Sequence, residues 1–220
     1  MTKTALSLSV LLCLAGLTGC DDPADDAPAA VVTQTPATSE TPPETEEEEA
    51  ESEAAAYAID TGTSTFGFIG SKPTDSHEGS FGTWSGEMQL ADDVTASSVT
   101  IDIQMASVQA DSERLTGHLR TDDFFDVENH PTAHFESTAI AAAPDGTEDA
   151  NYLITGQLTL RGQTRTVTFP SQIDVTDAEV RAQARFSINR QEFGINYPGM
   201  EDDLIRDAVV IHFDVHAPRS

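Results

Sequence analysis

The densest concentration of chemistry-bearing side chains is the stretch ERLTGHLRTDDFFDVENHPTAH, residues 113–134. It holds His118, His130 and His134 together with Glu113, Asp122, Asp123, Asp126 and Glu128. Imidazoles and carboxylates at this density suit a metal site, an acid/base site, or a polar loop around the Phe124–Phe125 pair. Spacing separates these readings. His130 and His134 are four apart, but Pro131 lies between them and 132–137 reads as a strand. On a strand, positions four apart share a face yet stand about 13 Å apart. Two ligands of one metal do not sit that way. His212 and His216 repeat the spacing and alternate with Phe213 and Val215, so they are expected to face water. The chain has no Gly-x-Ser-x-Gly elbow, phosphate-binding loop or His-Glu-x-x-His helix. No catalytic or metal-ligating residue is therefore assigned, and an enzyme is not the expected reading.

The elements that must position any site are strands. Apolar and polar residues alternate with period two, the signature of a half-buried strand. Val99, Ile101, Ile103 and Met105 alternate with Thr100, Asp102 and Gln104; Ala182, Ala184, Phe186 and Ile188 alternate with Arg181, Gln183, Arg185 and Ser187. The same pattern runs through 152–161 and 209–216. Eight strands follow, over 57–69, 79–90, 97–108, 132–143, 150–161, 164–176, 178–189 and 205–217. Turn residues such as Pro144-Asp145-Gly146 and Arg161-Gly162-Gln163 separate them, and such short connections favour antiparallel hairpins. The exception is 109–131, where SERLTGHL predicts a short helix capped by Ser112. Eight antiparallel strands suit a sandwich or a closed barrel, and about eight is the number at which a barrel holds one small ligand. A membrane barrel inverts the alternation and carries aromatic girdles. One Trp, three Tyr and heavily charged polar faces argue against it.

The start of the chain sets a different expectation. Lys3, an apolar run from Ala5 to Leu14, and Leu17-Thr18-Gly19-Cys20 follow in order. A short positive start, an apolar run and small residues before a cut form a secretory signal, and the run is shorter than the roughly 20 residues of a membrane span. LTGC resembles the lipobox of bacterial lipoproteins. The resemblance implies a leader over 1–19 and an acylated Cys20 as the mature N-terminus and membrane anchor. Cys13 lies in the leader, so the remainder has no second thiol for a disulfide or a cysteine metal site. Residues 21–56 carry twelve acidic side chains, five prolines and no Lys, Arg or aromatic residue. That composition predicts disorder. The expected organisation is a lipidated, disordered tether over 20–56, reaching roughly 30–36 Å, followed by a domain over 57–220. A net charge of −27 argues against nucleic acid, whose binding needs clustered cations.

An ordered set of short motifs over 57–220 resembles the YceI-like, lipocalin-like polyisoprenoid-binding proteins of bacteria. Tyr57-x-Ile59-Asp60 opens it, with Ser64, Phe66 and Phe68 following, then GSKPTDSHEGSF from Gly70 to Phe81. His118-Leu119, Asp123-Phe124-Phe125, Pro131 and Phe135-Glu136-Ser137 form its most recognisable part. Gly156-x-Leu158-Thr159-Leu160-x-Gly162-x-Thr164, Asn189-Arg190-x-x-Phe193-Gly194 and Asp207-x-Val209-x-Ile211 complete it. Thr63 and Gly70-Ser71-Lys72 stand where many members have histidines, leaving His77 as the substitute.

The resemblance implies an all-β, eight-stranded antiparallel lipocalin-like barrel with one short helix in the 109–131 connection. Its lumen would hold an extended apolar ligand: a polyprenyl chain, an isoprenoid quinone or a fatty-acid derivative. No other cofactor is implied. Candidate ligand-binding residues are Phe66, Phe68, Ile101, Ile103 and Met105 on the early strands, and Phe135, Tyr152, Ile154, Leu158, Leu160 and Phe169 on the middle ones. Phe186, Ile188, Ile211 and Phe213 follow on the last two. Leu119, Phe124 and Phe125 are expected to plug or gate one end of the lumen, with packing alone as the plainer role. The alternative is a structural or stress-response lipoprotein whose barrel is filled by its own side chains. The expected setting is the periplasmic face of an inner or outer membrane, with a homo-oligomer left open.

Overall fold

The computed structural model describes residues 22–34 and 54–219; the leader, Cys20 and residues 35–53 lie outside the described residues. Fourteen strands and one α-helix follow in order. β1 is Val31–Gln34, β2 Ala55–Ala58, β3 Thr65–Lys72, β4 Asp75–Phe81 and β5 Trp84–Leu90. β6 is Ser98–Gln104 and β7 Val108–Ala110, followed by α1, Glu113–Leu119. β8 (Thr132–Ala142), β9 (Tyr152–Leu160), β10 (Gln163–Val175) and β11 (Glu179–Asn189) are the long meander. β12 (Gly199–Met200) and β13 (Asp203–Leu204) form a small hairpin before β14, Ala208–Pro218.

Twelve strands form one antiparallel sheet in the order β2-β5-β6-β8-β9-β10-β11-β14-β3-β4-β7, with β1 added to β10. The sheet curls until its apolar face encloses the core. Near one end, Ile59 N–H donates to Gly86 O at 2.9 Å and Asp60 N–H to His216 O at 2.8 Å. The chain leaving β2 thus bridges β5 to β14 and draws the two flanks of the curl together.

The sheet has more strands than the eight expected, for local reasons. The run 79–90 is broken at Gly82-Thr83, where Gly82 N–H donates to Ser107 O and Thr83 N–H to Ser107 Oγ. The run 57–69 is broken by a turn at Asp60, whose carboxylate accepts from Gly62 N–H. Met105 is not on a strand but opens a 3₁₀ turn, Met105–Ser107, that splits 97–108 into β6 and β7. The helix forms as expected: Ser112 Oγ accepts from Leu115 N–H at 3.2 Å, the capping bond of a helix start.

The expectation of a disordered tether fails for residues 22–34, which are folded onto the barrel. β10 and β11 pair only from Gln172↔Gln183 to Val175↔Val180 and then part. β1 fills the gap, pairing antiparallel with Arg165–Thr168 of β10. On the other side Ala30 N–H donates to Ser187 O and Ser187 N–H to Pro28 O, at 2.8 and 2.9 Å. Composition hid this because the contacts are backbone bonds, which acidic neighbours do not forbid. Parted strands leave orphan N–H and C=O groups, and those are obligatory hydrogen-bonding partners. Farther back, the Asp22 carboxylate accepts from Ser71 Oγ at 3.0 Å and pairs with Arg206 at 2.6 Å, at 6% exposure.

Burial raises the Asp22 pKa, but donation from Ala24 N–H, Ser71 and Arg206 outweighs it and holds the carboxyl below its ordinary value. A depressed folded-state pKa gives stability that is complete above the unfolded value, about 3.9, and fades as pH falls below it. Asp22→Ala should therefore cost about 1.5–3 kcal/mol at neutral pH and less at pH 3. Chemical denaturation at the two pH values measures this. Hydrogen exchange should show faster amide exchange at Ala30 and through β1 in the same variant.

Candidate lipid-binding lumen

Alternation along each strand turns one set of side chains inward. On β11 these are Ala182, Ala184, Phe186 and Ile188; on β14 they are Val209, Ile211, Phe213 and Val215, and the register pairs Phe186 with Ile211 and Ala184 with Phe213. The inner wall is layered with rings. Phe169 and Phe186 stack at 4.2 Å, Phe66 and Phe213 lie parallel at 6.0 Å, and Phe169 meets Phe213 edge-on at 6.0 Å. Two rings need glycine beside them. A Cβ on Gly156 would lie 2.5 Å from the Phe135 ring, and one on Gly79 would lie 2.2 Å from that of Phe68.

These side chains do not fill the space they enclose. A cavity of about 210 Å³ runs through the interior, lined almost entirely by carbon. It is smaller than the roughly 300–1,000 Å³ of sites for drug-sized ligands. Every candidate named from the sequence lines it except Tyr152, which packs half-buried against the core. The Tyr152 side chain sits on the same parity as Ile154, but at the start of β9, beyond the end of the cavity. Residues not singled out from the sequence also line it, among them Met88, Leu90, Val167, Ile173 and Ile195. Val167 and Ile173 were legible, since they share the parity of Phe169 on β10. Ile195 was not, because it lies in the irregular segment after β11.

One charged residue reaches this wall. Arg190, 5% exposed, begins a 3₁₀ turn after β11. Its guanidinium donates to Arg206 O, Ile195 O and Ile205 O at 3.0, 2.7 and 3.1 Å, and to Asp207 Oδ1 at 3.3 Å. Burial pushes its pKa down and Asp207 opposes that. It remains a cation, and it pins the segment that carries β12 and β13 to the end of the barrel.

The 113–134 stretch packs at this end. Its three histidines go to three different carboxylates: His118 to Asp123 at 2.8 Å, His130 to Asp126 at 3.9 Å and His134 to Asp102 at 2.8 Å. No group of three metal-capable side chains converges among the described residues. Arg161 holds the loop from outside, donating to Asp122 O and to Gly194 O. Phe125 packs inward against Phe68 and Phe81, both at 5.9 Å. Phe124 sits between His118 and Tyr197, at 4.9 Å from His118 to Phe124 and 5.3 Å from Phe124 to Tyr197.

Leu119 and Phe124 also wall a second hollow of about 220 Å³ outside the lumen. This groove shares Phe68, Gly70, Leu119, Phe124 and Ile205 with the lumen, so these residues stand between the two spaces. Its outer wall is more polar, with Lys72, His77, His118 and Asp203. The expectation that His212 and His216 face open water is corrected. Both are half-buried, and His216 Nδ1 lies 3.1 Å from Glu179 and its Nε2 3.2 Å from Asp214. Burial pushes the His212 pKa down, Glu78 opposes this and Arg185 adds to it.

A curled antiparallel sheet around an apolar lumen, closed at one end by a helix-bearing loop, defines a lipocalin-like binding fold. Residues 57–217 match the family model for the YceI-like domain, and the chain belongs to that family. A UPF0312 protein of Pseudomonas putida strain W619 is 34% identical over 110 residues, 47% of this chain and 55% of the relative. A UPF0312 protein of Pseudomonas fluorescens strain SBW25 is 30% identical over 134 residues, 58% and 68% of the two chains. The chain spans about half the length of the Pseudomonas putida relatives it matches, 55% in each case. Among solved structures, Burkholderia cenocepacia BcnA is similar at 26% identity and a TM-score of 0.62, over 72% of this chain and 99% of that one. A polyisoprenoid binding domain from Saccharophagus degradans shares the fold at 16% identity and a TM-score of 0.60, over 76% and 99%.

Arg190→Met should orphan three buried carbonyls at the lumen end and cost about 2–3 kcal/mol, measured by denaturant unfolding. Phe186→Ala, which removes one ring of the stacked pair, should cost about 3 kcal/mol or more.

Proposed function

We propose that this protein holds an extended apolar lipid, such as a polyprenyl chain, an isoprenoid quinone or a fatty-acid derivative, in its lumen. The observation that carries the reading is the cavity itself, lined by aromatic and branched side chains and adjoining an outer groove across residues that line both. Burying apolar surface stabilises a bound chain by about 25 cal/mol per Å². A wall whose surface is almost all carbon favours length and apolarity over any one functional group. Membership of the YceI-like family and the likeness to a polyisoprenoid binding domain support this reading. The alternative of a barrel filled by its own side chains is disfavoured by the same cavity.

In the same reading the chain is exported to the periplasm and fastened to a membrane through acyl groups on Cys20. The support is the leader-like start and the LTGC sequence. Two or more acyl chains hold a protein stably where one does not. In this reading the acyl groups enter the bilayer and the domain binds its ligand.

Native mass spectrometry of protein purified without detergent, followed by lipid extraction, tests the proposal. The expected result is a co-purifying lipid at up to one per chain. Ile103→Asp, which sets a carboxylate in the wall, should abolish retention in a variant that still folds. A folded wild-type protein that neither retains a lipid nor takes up a long-chain quinone overturns the reading.

A further inference from the structure

We propose that the end of the barrel carrying the outer groove is laid against the bilayer, and that the Asp22 clamp sets this orientation. The inference rests on the reading of Cys20 as the lipid-bearing residue. It shortens the reach expected of the 20–56 tether, because the chain is already fastened to the barrel at Asp22.

The argument is first one of chain length. Asp22 is fastened to Ser71 and Arg206, and Ser71 lines the groove. Two residues of chain, from Cys20 to Asp22, span at most about 7 Å. A lipid on Cys20 enters the bilayer beside the groove while the clamp holds. The connection from Cys20 to the barrel ends at Asp22, so chain beyond Asp22 adds no length to it.

The rim at that end suits the contact. The β12–β13 hairpin exposes Met200 at 70% and Leu204 at 53%, two of the four most exposed large apolar side chains. The hairpin is held rigidly, with Lys72 Nζ 2.6 Å and Thr74 Oγ1 2.7 Å from Asp203, while Ile205 N–H donates to Pro198 O and Arg206 N–H to Ser71 O, both at 2.9 Å. The cations at the rim are in ion pairs, Lys72 with Asp203 and Arg206 with Asp22. Glu201 and Asp202 stand at the hairpin tip. Attraction to anionic headgroups is therefore not the source of the contact; the anchor and the two apolar side chains are. The geometry also gives a ligand a route: bilayer, groove, the Leu119–Phe124 partition, lumen.

The test places a single tryptophan at each end. In a Trp84→Phe background, Met200→Trp or Leu204→Trp reports on the groove end, and Val175→Trp on the opposite end, where β10 meets β11. The chain from Cys20 onward is bound to phosphatidylcholine vesicles containing a brominated phosphatidylcholine. Quenching should be at least threefold greater at 200 or 204 than at 175. Asp22→Asn should reduce it at 200 towards the value at 175 while vesicle flotation is unchanged. Equal quenching at both ends, or more at 175, overturns the proposal. Quenching at 200 that survives Asp22→Asn removes the clamp from it. If intact mass shows Cys20 without acyl groups, the anchoring reading has failed on its own. A dipalmitoyl lipid coupled to Cys20 through maleimide then tests the orientation independently.

Discussion

The structure depends on the closure of a twisted antiparallel sheet around an interior from which water is excluded. A sheet with one apolar face must bury it, and here it does so by curling onto itself instead of packing against helices. Curling sets two demands. Backbone groups at every parting of the strands need partners, and inward side chains must crowd without meeting at the axis. The first demand explains β1, which takes up the bonds left where β10 and β11 separate, and the Ile59–Asp60 crossing between β5 and β14. The second explains the cavity. Rings stacked along the wall, such as Phe169 on Phe186, hold one another upright and leave the axis open.

The end of the barrel is organised by hydrogen bonds as well as by apolar packing. Arg190 collects three main-chain carbonyls, and Arg161 collects two more from the loop and from Gly194. Each guanidinium offers a fork of donors fixed in one plane, so each fastens irregular chain that has no ladder of its own. The partition between lumen and groove rests on this scaffold. Leu119 comes from the last turn of α1, Phe124 from the loop behind it, and Ile205 from the segment leading into β14. Residues so far apart in the chain move together only if the loop moves, and the loop is tied at both ends.

Much of this was legible in the sequence because a period of two assigns parity. Ile101 and Ile103, or Phe186 and Ile188, turn inward wherever the strand ends fall. Parity says less at the margins. Tyr152 has the inward phase but lies beyond the cavity, and Ile195 faces it from irregular chain with no phase at all. The helix was legible because Ser112 and the SERLTGHL pattern act locally. The docking of 22–34 was not. Its contacts include main-chain bonds to Ser187 and Thr168, a hydrogen bond from Ser71 to Asp22 and the buried ion pair between Asp22 and Arg206, more than 180 residues apart. A run of acids and prolines carries no trace of a gap elsewhere in the sheet that its backbone can fill. His212 and His216 show the converse limit: outward phase does not mean exposure when neighbouring strands carry carboxylates that fold over them.

The central claim is that the lumen is a hollow that takes an apolar chain along its length. Methyl NMR of isoleucine-labelled protein, titrated with a long-chain isoprenoid quinone, tests it most directly. Saturable shifts near one equivalent at Ile101, Ile103, Ile154 and Ile188, with the exposed methyls of Val31 and Val175 unmoved in a valine-labelled sample, are predicted. Unchanged isoleucine methyls at saturating quinone, or shifts confined to the surface, would contradict the account.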